Sequence, residues 1–261
     1  RRSNSIGHHY FIANLTDHDI KATVKPATGE RNALWYNPMT DEFNRADVYN
    51  NGIMINLRSG ESRILLSSGR PLNDWGISDS IARAPYRKYA DEDSRAIDIT
   101  KEKWSLSFTE EAPRVKQGYK LNRLQTWESL GDSAAVTMGT GVYTTNFKLS
   151  AEDSRRNWQI DLGDVRESAR VYINDIYVGC AWAVPFVLDC KNALRKGRNT
   201  IRIEVTNLPA NRIADMERRG IKWRKMKEIN MVDINYKKTT YENWAPVASG
   251  LNGSVILREI K

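Results

Sequence analysis

Apolar and polar residues alternate with a period of two along much of this 261-residue chain, the spacing that turns one face of a β-strand toward a core and the other toward water. Tyr10-Phe11-Ile12-Ala13-Asn14-Leu15 closes at Thr16-Asp17-His18-Asp19, and Ile20 to Lys25 then alternates up to Pro26, which predicts a hairpin. Ile53 to Leu57, a turn at Arg58-Ser59-Gly60-Glu61, and Ser62 to Leu66 predict two more strands. Residues 1–68 thus read as a small β-sandwich segment. From 69 to 99 the period lapses, with Gly69, Pro71, Gly76 and Pro85 set among charges, and a linker or extended loop is expected. Strands resume at Trp104, Leu106 and Phe108, and the clearest lie at Trp158, Ile160 and Leu162, at Val171 and Ile173, and at Ile201, Ile203 and Val205. Asn174-Asp175 and Lys196-Gly197-Arg198-Asn199 supply turns. Only 211–228 carries a partial helical period, through Ile213, Met216, Ile221 and Trp223; Gly220 interrupts it, so one short helix at most is expected. The fold class predicted is all-β, with residues 100–261 forming a sandwich or jelly-roll.

Composition narrows the classes. With 40% apolar and 28% charged residues, the chain as a whole is not disordered. The longest apolar run, Cys180 to Leu188, is nine residues with a proline inside, against roughly 20 for a membrane helix, so no membrane span is expected. The first residues, Arg1 to Ser5, bring neither an initiator Met nor an apolar stretch, and read as a cut end. A net charge of +8 raises nucleic acid as a partner. Acids interleave with the bases, however, as in Asp91-Glu92-Asp93-Ser94-Arg95, and a mixed solvated surface is the simpler reading. The exception is 211–228, with seven basic residues against three acids, which suits phosphate, an acidic sugar or water.

Catalytic signatures are sparse. Glu61, Asp161, Asp164, Asp175 and Glu204 read as turn residues or outward strand positions, and no Gly-x-Ser-x-Gly elbow occurs. His8 and His9 are neighbours on a predicted strand and face opposite sides, which argues against joint metal binding. Gly139-Thr140-Gly141 opens like a dinucleotide fingerprint, but Thr144 stands where the third glycine belongs. Cys180 and Cys190 leave both a disulfide and free thiols open. The aromatic residues say more. There are eight tryptophans, and indoles stack on the C–H faces of sugar rings. Trp35, Trp104, Trp127 and Trp158 fall within strand patterns and read as core, whereas Trp182, Trp223 and Trp244 lie beside loops, proline or basic residues.

Three stretches, Gly139 to Phe147, Ile160 to Ala169 and Val171 to Gly179, resemble the sugar-binding, galactose-binding-like jelly-roll of family 2-type glycoside hydrolases. Its motif order is present as Asn174-Asp175, Gly179, Pro185-Phe186, Leu194 to Asn199, and Val205-Thr206-Asn207. Thr206 to Asp215 is similar to the C-terminal region of alpha-L-rhamnosidase-like enzymes of glycoside hydrolase family 106. Tyr10 to Asn14, Leu34 to Pro38 and Ser59 to Ser62 resemble the β-domain after the catalytic barrel of such enzymes. Asp175 departs from the pattern by replacing a glycine, and the segment after Asp215 is more basic than the pattern.

The resemblance implies a non-catalytic accessory β-domain of a glycoside hydrolase acting on plant or other complex glycans, secreted to the periplasm or cell exterior. Its partners would be a glycan and an upstream catalytic domain of the same polypeptide, with no nucleic acid. The barrel that carries the acid and base has no room in this β pattern, so no catalytic residue is carried over and no activity of the chain alone is expected. No cofactor and no metal ligand are nominated, although jelly-rolls of this type admit a structural calcium. Carbohydrate contacts are expected at Trp182, Trp223 and Trp244 as stacking platforms, with Asn211 and Arg212 as hydroxyl or carboxylate partners; a structural turn clamp is the other role for Asn211 and Arg212. A stand-alone carbohydrate-binding or adhesion module, and a basic nucleic-acid binder using Arg212 to Lys227, are the competing classes.

Overall fold

Ala33, Leu34 and Trp35 are consecutive residues of the strand Asn32–Asn37, and all three are buried. A strand with one wet face buries only alternate positions, so this one lies between two layers. It belongs to the first of two compact units, 1–93 with 260–261 and 94–259, in the computed structural model. The structure describes residues 1–26, 28, 32–50, 52–90, 93–225, 235 and 239–261.

In the first unit a five-stranded antiparallel sheet runs Arg2–Ser3, His8–Ala13, Ser62–Ser68, Asn32–Asn37, Glu42–Arg45. A three-stranded sheet runs Ile20–Val24, Gly52–Leu57, Val48–Tyr49. Ala33, Trp35 and Leu65 of the larger sheet form one core with Ile53, Ile55 and Leu57 of the smaller. The expected hairpin does not form: His8–Ala13 pairs with Ser62–Ser68, and Ile20–Val24 pairs with Gly52–Leu57. Buried Asn14 turns the chain from one sheet to the other. Its amide donates to the carbonyls of His18 at 2.8 Å and Leu57 at 3.1 Å, while its oxygen accepts from the Thr16 amide and hydroxyl at 3.0 and 2.7 Å.

The stretch expected as a linker, 69–99, carries short helices and a strand among its described residues. A 3-10 turn at Leu72–Trp75 and a single helical turn at Asp79–Ala82 bury Leu72, Trp75 and Ala82 against Leu34. One turn of each helix type carries no strand period, which hides both from a period-two reading. Ala96–Asp98 is already a strand of the second unit, paired with Ile256–Glu259. Glu61, which read as a turn acid, is buried and bridges Arg63 at 2.8 Å and Arg87 at 2.5 Å, with the Arg58 amide on its other oxygen at 2.9 Å. Burial alone would raise its pKa, but the two guanidiniums and the amide outweigh that and hold it below the usual carboxylate range.

The second unit stacks a six-stranded antiparallel sheet on a four-stranded one. The larger runs Tyr119–Leu121, Trp104–Ala112, Met138–Leu149, Gly197–Thr206, Ser168–Ile173, Ile176–Ala181; the smaller runs Val187–Asp189, Trp158–Asp161, Ile256–Glu259, Ala96–Asp98. Trp104, Tyr143, Val171 and Ile203 from the first meet Trp158, Ile160 and Leu257 from the second in a single core. This is the all-β sandwich that the alternation predicts. Asn174 and Asp175 both take left-handed backbone conformations, φ 51° and 66°, so the Asp accepts the conformation a glycine would hold in this tight hairpin. Asn174 also donates to buried Asn199 at 2.8 Å and accepts from the Thr200 amide at 3.1 Å, tying the hairpin to the next strand. Besides the expected helix, found at Ala210–Arg218, single helical turns occur at Asp79–Ala82 and Asp132–Ala135. That exceeds the one helix expected, because four-residue turns leave no periodic trace.

Candidate functional site

The strand Gly197–Thr206 runs out at one end of the six-stranded sheet into Asn207, whose side chain accepts from the Gly139 amide and donates to the Thr137 carbonyl, both at 3.0 Å. The helix Ala210–Arg218 starts two residues after Leu208 and turns Asn211 and Ala214 inward. Asn211, 6% exposed, donates to the Val247 carbonyl at 2.7 Å and to Glu128 at 2.9 Å, and accepts from the Val247 amide at 2.8 Å. Glu128 uses its other oxygen for the Ser249 amide at 3.2 Å. The helix N-terminus is thereby locked to the returning segment 247–249.

At the other end of the helix Gly220 takes a left-handed conformation, φ 65°. The Ile221 amide then reaches the Met216 carbonyl at 2.8 Å and the Gly220 amide the Glu217 carbonyl at 3.0 Å, the paired bonds of a Schellman stop. The chain reverses, and Trp223 comes back beside the last turn. Glu217 holds the reversed chain in place: it accepts from the Tyr241 amide at 2.5 Å, the Trp223 indole at 3.2 Å and the Arg224 guanidinium at 3.4 Å. The Tyr241 amide above all, with Trp223 and Arg224, outweighs desolvation and holds its carboxyl below the usual range.

Three rings stand together as a result. Trp223 and Tyr241 have centroids 6.1 Å apart at 45°, and Tyr241 and Trp244 lie 4.6 Å apart edge to face at 78°. The Arg224 guanidinium sits 5.1 Å from the Trp223 ring and 5.3 Å from the Tyr241 ring. Trp244 is 51% exposed. Such a set offers an aromatic face to apolar C–H groups, with the Arg224 cation packed on two of the rings and donating to Glu217 and the Thr239 carbonyl.

Of the five residues singled out from the sequence, the structure brings Trp223 and Trp244 together through Tyr241. Asn211 is spent on Val247 and Glu128, and Arg212 donates to Asp215 one turn along at 3.0 Å, so both act within the scaffold. Trp182, 60% exposed, follows Ala181, which stands opposite Ala169, itself opposite Val205. It therefore lies at the sheet end where Thr206 leads to the helix, and among the described residues it makes no ring or hydrogen-bond contact with the trio. Arg224 is visible in the sequence only as one of the bases of the 211–228 stretch, and Tyr241 and Glu217 carry no signal there beyond the three-residue spacing of Tyr241 and Trp244. Residues 226–228 of the basic stretch, Lys227 among them, lie outside the described residues. For calcium, among the described residues no three His, Cys, Asp or Glu side chains stand close enough to hold a metal ion.

Residues 131–249 match the family described as glycosyl hydrolase 2 galactose-binding domain-like. A Formosa agariphila protein named "Putative beta-glucuronidase" is 28% identical over 171 residues, which is 58% of this chain and 15% of that protein. A rhamnosidase structure from Novosphingobium sp. PP1Y superposes with a TM-score of 0.70 at 23% identity, over 99% of this chain and 23% of that one. This chain thus spans under a quarter of either protein, and the superposition shows a shared fold.

Proposed function

We propose that this chain is a non-catalytic carbohydrate-binding domain of a larger glycoside hydrolase, one that holds a glycan on Trp223, Tyr241 and Trp244 beside a catalytic domain elsewhere in the same polypeptide. The observation that carries the reading is the ring trio itself, with Arg224 across two of its rings and Glu217 bracing all but Trp244. A sugar ring can stack on the exposed indole of Trp244, while Arg224, donating to Glu217 and the Thr239 carbonyl, holds the other two rings in place. The family 2-type match over 131–249 supports a sugar ligand. The rhamnosidase superposition and the family 106 motifs favour a rhamnosidase-like parent; acting on polymeric glycans, which do not cross a cell membrane, it would work in the periplasm or outside the cell.

Calorimetric titration of the 261-residue chain with rhamnose-containing oligosaccharides tests it. Trp244→Ala should weaken binding by about 1–3 kcal/mol, the worth of a stacked ring in an exposed site, with the thermal midpoint unchanged. Affinity equal to that of the unsubstituted chain would refute the assignment, as would saccharide cleavage abolished by replacing one carboxylate of this chain.

A further inference from the structure

The outer face of the six-stranded sheet carries a second group of polar and aromatic side chains, apart from the ring trio. Strand pairing sets one residue from each strand in a single transverse row: Lys120, Ser105, Thr144, Arg202, Tyr172 and Tyr177. Their chain neighbours Leu121, Trp104, Tyr143, Ile201 and Val171 are buried in the core, so the row points the other way. At about 4.8 Å per strand the row crosses about 24 Å.

One end of the row opens into a cavity of about 330 Å³. Lys103, Ser105, Lys120, Asn122, Thr144, Thr145 and Asn146 line it together with Trp104 and Leu121, with no carboxylate among them. Asn146 spends its oxygen on the Thr200 hydroxyl at 2.7 Å and the Arg198 guanidinium at 3.2 Å, which leaves its NH2 to donate. Two ammonium groups and that amide make the cavity rich in donors. Farther along, Arg202 lies 3.8 Å from the Tyr172 ring centroid, and Arg202 and Arg170 share the single carboxylate of Glu204. Two guanidiniums on one carboxylate leave net positive charge in mid-row. The row ends on Tyr172 and Tyr177, with ring centroids 5.3 Å apart.

We infer that this face binds an acidic oligosaccharide, with a uronate ring seated between Lys103 and Lys120 and the following sugars running toward the tyrosine pair. The cavity suits one pyranose ring: the ammonium groups meet the carboxylate, and Thr144, Asn122 and Asn146 meet ring hydroxyls. Nucleic acid fits less well, because a phosphodiester chain asks for cations along the whole row, where Ser105, Thr144 and two tyrosines stand instead.

The test is titration of the 261-residue chain with tetragalacturonate, neutral galactotetraose, a sulfated galactotetraose and single-stranded DNA. Tetragalacturonate should bind about tenfold more tightly than galactotetraose, and Lys103→Ala and Lys120→Ala should each weaken it about 3- to 5-fold, as the loss of an exposed ion pair. Trp244→Ala should leave this affinity unchanged, which separates the outcome from that of the ring trio. Equal affinity for the acidic and neutral sugars, no binding of tetragalacturonate, lysine variants with unaltered affinity, or tighter binding of the sulfated sugar or of DNA would each overturn the inference.

Discussion

Trp127 donates its indole N–H to the hydroxyl oxygen of Tyr143 across 2.7 Å, and the same oxygen accepts the Leu251 amide at 3.1 Å. All three residues are buried. Gly250 makes room for the pair: a Cβ there would stand 2.5 Å from both the indole nitrogen and the phenol oxygen, at a left-handed φ of 101°. The contact joins the six-stranded sheet to the segment that the helix clamp also holds.

Tyr143→Phe leaves two buried donors without an acceptor. Each orphaned group costs about 1–3 kcal/mol, so urea denaturation should show a loss of about 2–4 kcal/mol in the second unit, with far-ultraviolet circular dichroism unchanged before the transition.

Burial pushes the Tyr143 phenol up to about 12, against the partial opposition of the Leu251 amide and the Trp127 indole. The unfolded chain therefore loses this proton first as pH rises. Stability from this group is complete below about pH 10 and falls away between about 10 and 12, by about 2–3 kcal/mol in all. Denaturation midpoints measured across that window should fall, and Tyr143→Phe should flatten the slope.

Asn211→Ala would remove the side-chain partner of the Val247 amide and of one Glu128 oxygen, and leave the Val247 carbonyl with the Ser249 hydroxyl at 3.4 Å. A loss of about 1–3 kcal/mol is expected from these partly buried groups. Tryptophan fluorescence should also shift to the red, because the segment carrying Trp244 is then held less firmly.

Glu61→Gln in the first unit removes the charge that faces Arg63 and Arg87. Breaking a buried pair of this kind costs about 3–5 kcal/mol. Because the carboxyl is held below its ordinary pKa, its contribution is complete above the usual carboxylate range, declines as pH falls below that range and is lost once pH passes the lowered pKa of the folded state. Acid titration of the Gln variant should lack that component.

The two thiols are both free, Cys180 on the outward face and Cys190 in the core with its pKa raised first by burial and then by Asp189. A thiol reagent should modify one equivalent in the native protein and two after unfolding. Two equivalents in the native state would place Cys190 outside the core.

Much of the second unit is legible in the sequence. Trp158 with Ile160, Val171 with Ile173, and Ile201 with Ile203 and Val205 are core residues because side chains alternate along a strand by geometry, whatever the strand pairs with. The four tryptophans read as core are core, and Asn174-Asp175 turns where a left-handed pair is expected. Trp75 and Leu72 were hidden, since a burial pattern made of single helical turns has no period to detect.

Choice of partner is a different kind of information. Tyr10 to Ala13 and Ile20 to Val24 are near in sequence and look like a hairpin, yet each pairs with a distant strand, Leu65 opposite Tyr10, Leu57 opposite Ile20 and Ile53 opposite Val24. Trp223 and Trp244 were visible as candidates singly. That they share a surface rests on Tyr241 between them, on Glu217 below, and on Gly220 reversing the chain. Local alternation follows from the pleat of one strand, whereas pairing and side-chain clusters depend on which distant segments meet, and only the folded chain brings those together.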